Sequence, residues 1–243
     1  MIAVISPAKT LDYDTPLPPF AAGTLPRFAE EAAGLARSAA RLGAKRLGEL
    51  MHISPALATL NAGRFRGFAD APERPAMFAF AGDVYTGLDA GTLDEAQVRF
   101  AQGHLRLLSG LYGLLRPLDA IRPYRLEMGT RWAPRRARLT DWWGDRIATA
   151  LREAANGAPV LNLASQEYWA AVEGRLGDLR IVSVDFREGD RFVSFHAKRA
   201  RGSMARWMVE HHVTDVDAMR GFDVDGYRYD AEGSTADRWT FRR

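Results

Sequence analysis

Apolar residues along this chain come in short runs separated by polar turns, and the period of each run predicts an element. Residues 2–6 form an unbroken, β-rich apolar run ending at Pro7. Such a run reads as a buried strand leading into a loop. The loop, residues 7–28, is proline-rich and aperiodic, and ordered loops of that length are often functional. Residues 28–50 turn helical, with Gly43 dividing them into two helices. Ser54 then Pro55 supplies an N-cap and a proline at the first helical position of a third helix. Residues 76–81 read as a second buried strand. Thr92 and Glu95 form a capping box that starts a helix toward His104, and residues 105–108 read as a strand.

In the second half, residues 139–155 read as a helix carrying an aromatic patch, Trp142 and Trp143. Residues 159–163 read as a strand, after which Ser165 caps a further helix. Residues 181–186 and 191–195 alternate apolar and polar about a Glu-Gly-Asp turn, the pattern of a β-hairpin. Residues 198–213 are helical, and 227–229 and 239–241 are short closing strands. No repeat, linker or composition break divides the chain, which predicts one domain over residues 1–243. The alternation is too irregular for a repeated βαβ fold. The expected class is therefore mixed α/β (α+β), with a central mixed sheet flanked by helices.

Composition narrows the function classes. Of 243 residues, 47% are hydrophobic and 26% charged, which is enough for a sizeable core. There is no cysteine, which excludes disulfides, thiolate zinc sites, iron–sulfur clusters and a cysteine nucleophile. The first residues lack the basic stretch of a signal peptide. No apolar run reaches membrane-spanning length. The expected location is the cytoplasm, with no membrane partner. Net charge is only +3, but arginine dominates the cations, and its planar fork matches phosphate. Nucleic acid is thus a candidate partner.

Candidate chemistry concentrates in residues 82–129, where GDVYTGL and LSGLYGLLRPLDAIRPYRLEMG set glycines, prolines, tyrosines and charges among leucines. A plain core element does not tolerate that mixture. Lys9 and Asp12 follow the first strand, and strand ends in α/β sheets are common ligand locations. They read equally as a surface lysine and a turn aspartate. Asp83 and Tyr85 follow the second apolar run, where they suit a base edge or a turn cap. Arg125 and Glu127 share one face of an extended segment. They suit a structural pair, or a phosphate ligand with Glu127 as acid or base. On the basic helix, Lys198 and Arg201 share one face, and Arg199 and Arg206 line another.

Several signatures are missing. SPAKT lacks the glycine spacing of a Walker loop, and no dinucleotide or serine-nucleophile motif occurs. The five histidines make no zinc pattern. No metal site and no cofactor are called for. Gly110 and Gly113 resemble the hairpin glycines of helix-hairpin-helix DNA binders. That hairpin separates its glycines by one residue and here there are two, so spacing alone favours a turn in the core.

The stretches ISPAKTLDYDTPL, NAGRF, FAGDVYTGL, HLRLLSGLYGLLRPLDAIRPYRLEMGTR, WGDRI, LNLASQEYW and SFHAKRARGSMARWM run in order over nearly the whole chain. Together they resemble the YaaA family of peroxide stress resistance proteins (DUF328/UPF0246). The resemblance implies a cytoplasmic protein that protects against hydrogen peroxide by limiting iron-driven damage. It implies a family-specific α/β fold with a helix-hairpin-helix element and a basic cleft for duplex DNA. It also implies that Lys9, Asp12, Asp83, Tyr85, Arg125, Glu127, Lys198 and Arg201 converge on one cleft.

Two functions follow as expectations. The first is duplex DNA binding, with Gly110 and Gly113 at the hairpin and Arg116, Arg122, Lys198, Arg199, Arg201 and Arg206 on phosphates. The second is an enzyme acting on a nucleotide or a nucleic-acid base. There Lys9 or Lys198 serves as nucleophile or clamp and Asp83 or Glu127 as acid or base. Direct iron binding is disfavoured because no dense carboxylate–histidine cluster is visible.

Overall fold

The run IAVI forms β1 (Ile2–Ile5), buried on both faces. It is an interior strand of a seven-stranded sheet. A computed structural model describes all residues, 1–243. After β1 come β2 (Thr10–Leu11), α1 (Ala29–Ala40), α2 (Gly43–Met51) and α3 (Pro55–Arg66). Next are β3 (Arg74–Pro75), α4 (Ala76–Ala79), β4 (Phe80–Ala81), α5 (Asp83–Leu88) and α6 (Glu95–His104). The middle of the chain adds β5 (Leu105–Ser109), β6 (Gly113–Leu115), β7 (Ala120–Ile121), α7 (Leu139–Trp143) and α8 (Arg146–Ala155). Then follow β8 (Val160–Leu163), α9 (Gln166–Trp169), β9 (Ile181–Arg187), α10 (Ser194–Glu210), β10 (Arg228–Asp230) and β11 (Arg238–Arg242).

The sheet order is β10-β11-β9-β8-β1-β5-β6. β1 is parallel to both β5 and β8, β8 to β9, and β9 to β11. The edge strands β6 and β10 run antiparallel to their neighbours. This is the expected mixed sheet with helices around it. One apolar cluster joins Met1 at the start to Phe241 near the end. No helix is long and apolar enough to cross a membrane.

Local signals hold where they are strong. Gly43, at φ 70°, separates α1 from α2. Ser54 caps α3, its hydroxyl accepting from the Leu57 amide with Pro55 at the first position. The capping box of α6 lies two residues later than Thr92 suggests. Asp94 and Gln97 each accept from the other's backbone N–H.

Four expectations need correction. Residues 76–81 are a turn of helix, α4, followed by the short strand β4, because an apolar run this short carries no decisive period. Residues 191–195 form no hairpin arm. Both edges of β9 are already taken by β8 and β11, so only an Arg191–Glu188 bridge forms and Ser194 starts α10. The helix expected over 139–155 breaks at Gly144, φ 53°. Gly110 lies in the β5–β6 turn and Gly113 opens β6, so strands and not helices flank the hairpin. A Cβ on Gly110 would stand 2.1 Å from the Leu126 carbonyl oxygen.

Candidate functional site

The chain leaves β1 toward β5 on one side and leaves β8 toward β9 on the other. The crevice beyond such a pair of parallel strand ends is the usual ligand position in α/β sheets. Here it is marked by two serines. The Ser165 amide donates to Ser6 Oγ at 2.8 Å, and Ser6 Oγ donates to Ser165 Oγ at 3.3 Å. Beneath them the buried Tyr85 hydroxyl donates to the Ser6 carbonyl at 3.1 Å. Burial raises the Tyr85 pKa well above the ordinary value. It stays a neutral donor and holds the end of β1 in place.

Above the serines opens a hollow of about 580 Å³, lined by Ser6, Lys9, Asp83, Ser165, Glu167, Tyr168, Lys198 and Arg201. A second hollow of about 660 Å³ adjoins it and shares Lys9 and Glu167. Glu127 lies in its floor and is 8% exposed. Arg125 donates to Glu127 Oε1 through Nε at 3.0 Å and through a terminal nitrogen at 2.9 Å. The Lys9 ammonium approaches the same oxygen at 3.5 Å from an exposed side chain. Oε2 of Glu127 is buried and has no hydrogen-bond partner.

Helix α10 brings the cations to the other side. Its approach to α5 is set by Gly87 and Gly202. A Cβ on Gly202 would lie 1.8 Å from the Val84 carbonyl oxygen, and one on Gly87 2.1 Å from the Arg199 carbonyl oxygen. Only glycine permits an approach that close. Lys198 and Arg201, three residues apart, thus line one hollow. Lys198 is exposed, while Arg201 is largely covered, with Nε buried and unpartnered. Burial lowers the Arg201 pKa, and nearby Asp185 opposes the shift. The cleft therefore holds an orphan acceptor, Glu127 Oε2, and an orphan donor, Arg201 Nε.

Of the eight residues expected to converge, six line the two connected hollows or hold a residue there: Lys9, Asp83, Arg125, Glu127, Lys198 and Arg201. Tyr85 supports the site from below. Asp12 lies elsewhere, closing a turn of the loop. Hydrogen bonds from the Thr15 side chain and the Thr15 and Asp14 amides lower its pKa to about 2.

The expected phosphate track divides, because most of its cations are committed inside the fold. Arg116 grips buried Asp119 through Nε, a terminal nitrogen and its own amide. Arg206 donates to the carbonyls of Leu88 and Asp89 and pairs with Glu210. Arg122 pairs with Glu73 at 3.0 Å and lies over the Phe68 ring. Arg199 faces Asp225 at 4.0 Å and lines no part of the cleft. Gly110 and Gly113 are buried and present no amide to a phosphate. Sequence reasoning missed Ser6, Ser165 and Glu167. Their signal was position, since each lies just past a parallel strand.

No group of three or more His, Cys, Asp or Glu stands where it could share a metal ion. The model of the peroxide stress protein YaaA family matches residues 1–233. The chain is similar to a UPF0246 protein of Rhizorhabdus wittichii, 56% identical over 250 aligned positions that cover 99% of this chain and 98% of that protein. It is 49% identical to a UPF0246 protein of Paracidovorax citrulli, covering 100% of this chain and 98% of the relative. A UPF0246 protein of Bordetella pertussis is 46% identical, at 100% and 99% coverage. With this agreement over the full length, the chain belongs to the YaaA family of peroxide stress proteins.

Proposed function

We propose that this chain serves the response to hydrogen peroxide by holding one phosphate-bearing nucleotide unit of nucleic acid in the cleft beyond β1 and β8. The observation that carries the reading is that Glu127 and Arg201, which line two connected hollows, each keep a buried polar atom without a partner just behind that lining, Oε2 and Nε. Buried polar atoms without partners are costly, and a ligand with an acceptor at one end and a donor at the other relieves both. A phosphate against Lys198 and Arg201 supplies the acceptor. An N–H of a base supplies the donor for Glu127. Duplex DNA in the cytoplasm is the proposed source of that unit, with the whole chain acting as one domain. Relief of iron-driven damage then follows from occupying the target rather than from holding the metal.

Glu127 favours a second reading, chemistry on the base. A carboxylate with one oxygen fixed by Arg125 and the other free is positioned to accept a proton from a bound ligand.

The test is DNA affinity as a function of salt, for the unaltered chain and for Lys198→Ala/Arg201→Gln. The slope of log affinity against log salt is expected to flatten by about one unit, for the single phosphate that the variant no longer neutralises. Affinity that ignores salt, or a slope unchanged in the variant, overturns the reading.

A further inference from the structure

Across β4 from the cleft lies a separate hollow of about 340 Å³ that shares only Ala81 and Gly82 with the cleft. Arg74 lines it. This side chain is 7% exposed, yet its guanidinium makes no ion pair with any carboxylate. Its Nε donates to the Phe78 carbonyl at 2.9 Å, the one hydrogen bond the side chain makes within the protein. Neither terminal nitrogen is sealed off from solvent. A buried cation in direct contact with no carboxylate is costly, and Asp12 reaches it only as a longer-range charge, which leaves the direct partner to a ligand.

The walls say what kind. Met77, Phe78 and Phe80 are apolar and buried. Asp12 and Asp89 stand among the lining residues, and Asp89 is already engaged by Arg206 at 3.6 Å. The free edge of an arginine fork matches the two oxygens of a planar oxyanion. Two carboxylates beside it repel a multiply charged one. The geometry points to a second binding site, in which Arg74 takes the carboxylate of a small monocarboxylic acid and the aromatic walls take its apolar body. This site is independent of the cleft's own ligand.

The test is a calorimetric titration of the full chain at constant ionic strength with isobutyrate, benzoate and inorganic phosphate. A saturable carboxylate isotherm is expected, weakened about tenfold or more in Arg74→Lys, the scale of removing one charge-assisted hydrogen bond, and unchanged in Lys198→Ala. Should Arg74→Lys fail to fold, Thr86→Trp decides instead. Thr86 is exposed at the hollow, and an indole there fills it without touching Arg74's bond to Phe78, so carboxylate binding should disappear. No saturable binding, phosphate binding tighter than carboxylate, or carboxylate binding that survives Thr86→Trp would each overturn the assignment.

Discussion

Arg125 clasps one oxygen of Glu127 and leaves the other bare. Removing the arginine strands a carboxylate in the floor of the cleft. Arg125→Ala is expected to cost roughly 3 kcal/mol in urea denaturation, the scale of breaking a buried pair from one side. Glu127→Gln should cost much less, because a neutral amide tolerates burial. Combining the two should return part of the loss, a coupling that a double-mutant cycle reads directly. Equal losses for both single variants would mean that the pair behaves as an ordinary surface ion pair.

Gly87 and Gly202 set how closely α10 lies on α5. Gly202→Ala should destabilise the fold by about 2 kcal/mol, as overpacking does. The same change should move Lys198 and Arg201 outward and weaken nucleic-acid binding beyond what the stability loss explains. Thermal melts and binding measured at a temperature where the variant is fully folded separate the two effects.

Tyr85, Tyr112, Tyr124 and Tyr168 all have raised pKa values because burial penalises the phenolate, Tyr112 reaching about 12. A group whose folded pKa is raised stabilises fully below its unfolded value near 10 and loses that contribution as pH climbs through the folded value. Tyrosinate absorbance is therefore expected to rise for these four only together with unfolding, above pH about 10. Tyr112→Phe should move that transition to higher pH. Smooth ionisation of all tyrosines in a still-folded chain would contradict their burial.

Asp12 works in the opposite direction. Its pKa is lowered to about 2, first by the Thr15 side chain and then by the Thr15 and Asp14 amides. A depressed carboxyl contributes above its unfolded pKa near 4 and loses the contribution as pH falls toward 2. The donors that hold it all belong to the loop, so the effect is confined there. The Asp12 carbon resonance, followed by NMR, should titrate near 2, and at higher pH in Thr15→Val, still short of the free carboxyl value because the Asp14 and Thr15 amides remain.

Legibility in the sequence follows the range of the forces involved. Ser54-Pro55, Gly43 and the buried run of β1 act within a few residues and could be read directly. Residues 76–81 could not, since an apolar run that short carries no decisive period, and 191–195 could not, since β11, far along the chain, takes the free edge of β9. The same divide runs through the site. Lys9, Asp83, Lys198 and Arg201 stood out as polar groups just past apolar runs, and Glu127 as sharing a face with Arg125. Arg206 looked no different from Arg201, because the carbonyls that occupy it belong to Leu88 and Asp89, 118 and 117 positions away.

The two serines that meet at the mouth of the cleft are 159 positions apart. Nothing local prefigures their meeting, so the site has no rudimentary form in a partial chain. A ribosome must pass β8 before Ser6 finds Ser165, and pass α10 before any cation faces Glu127. A nascent chain that has not yet reached α10 therefore carries no rudimentary form of the cleft.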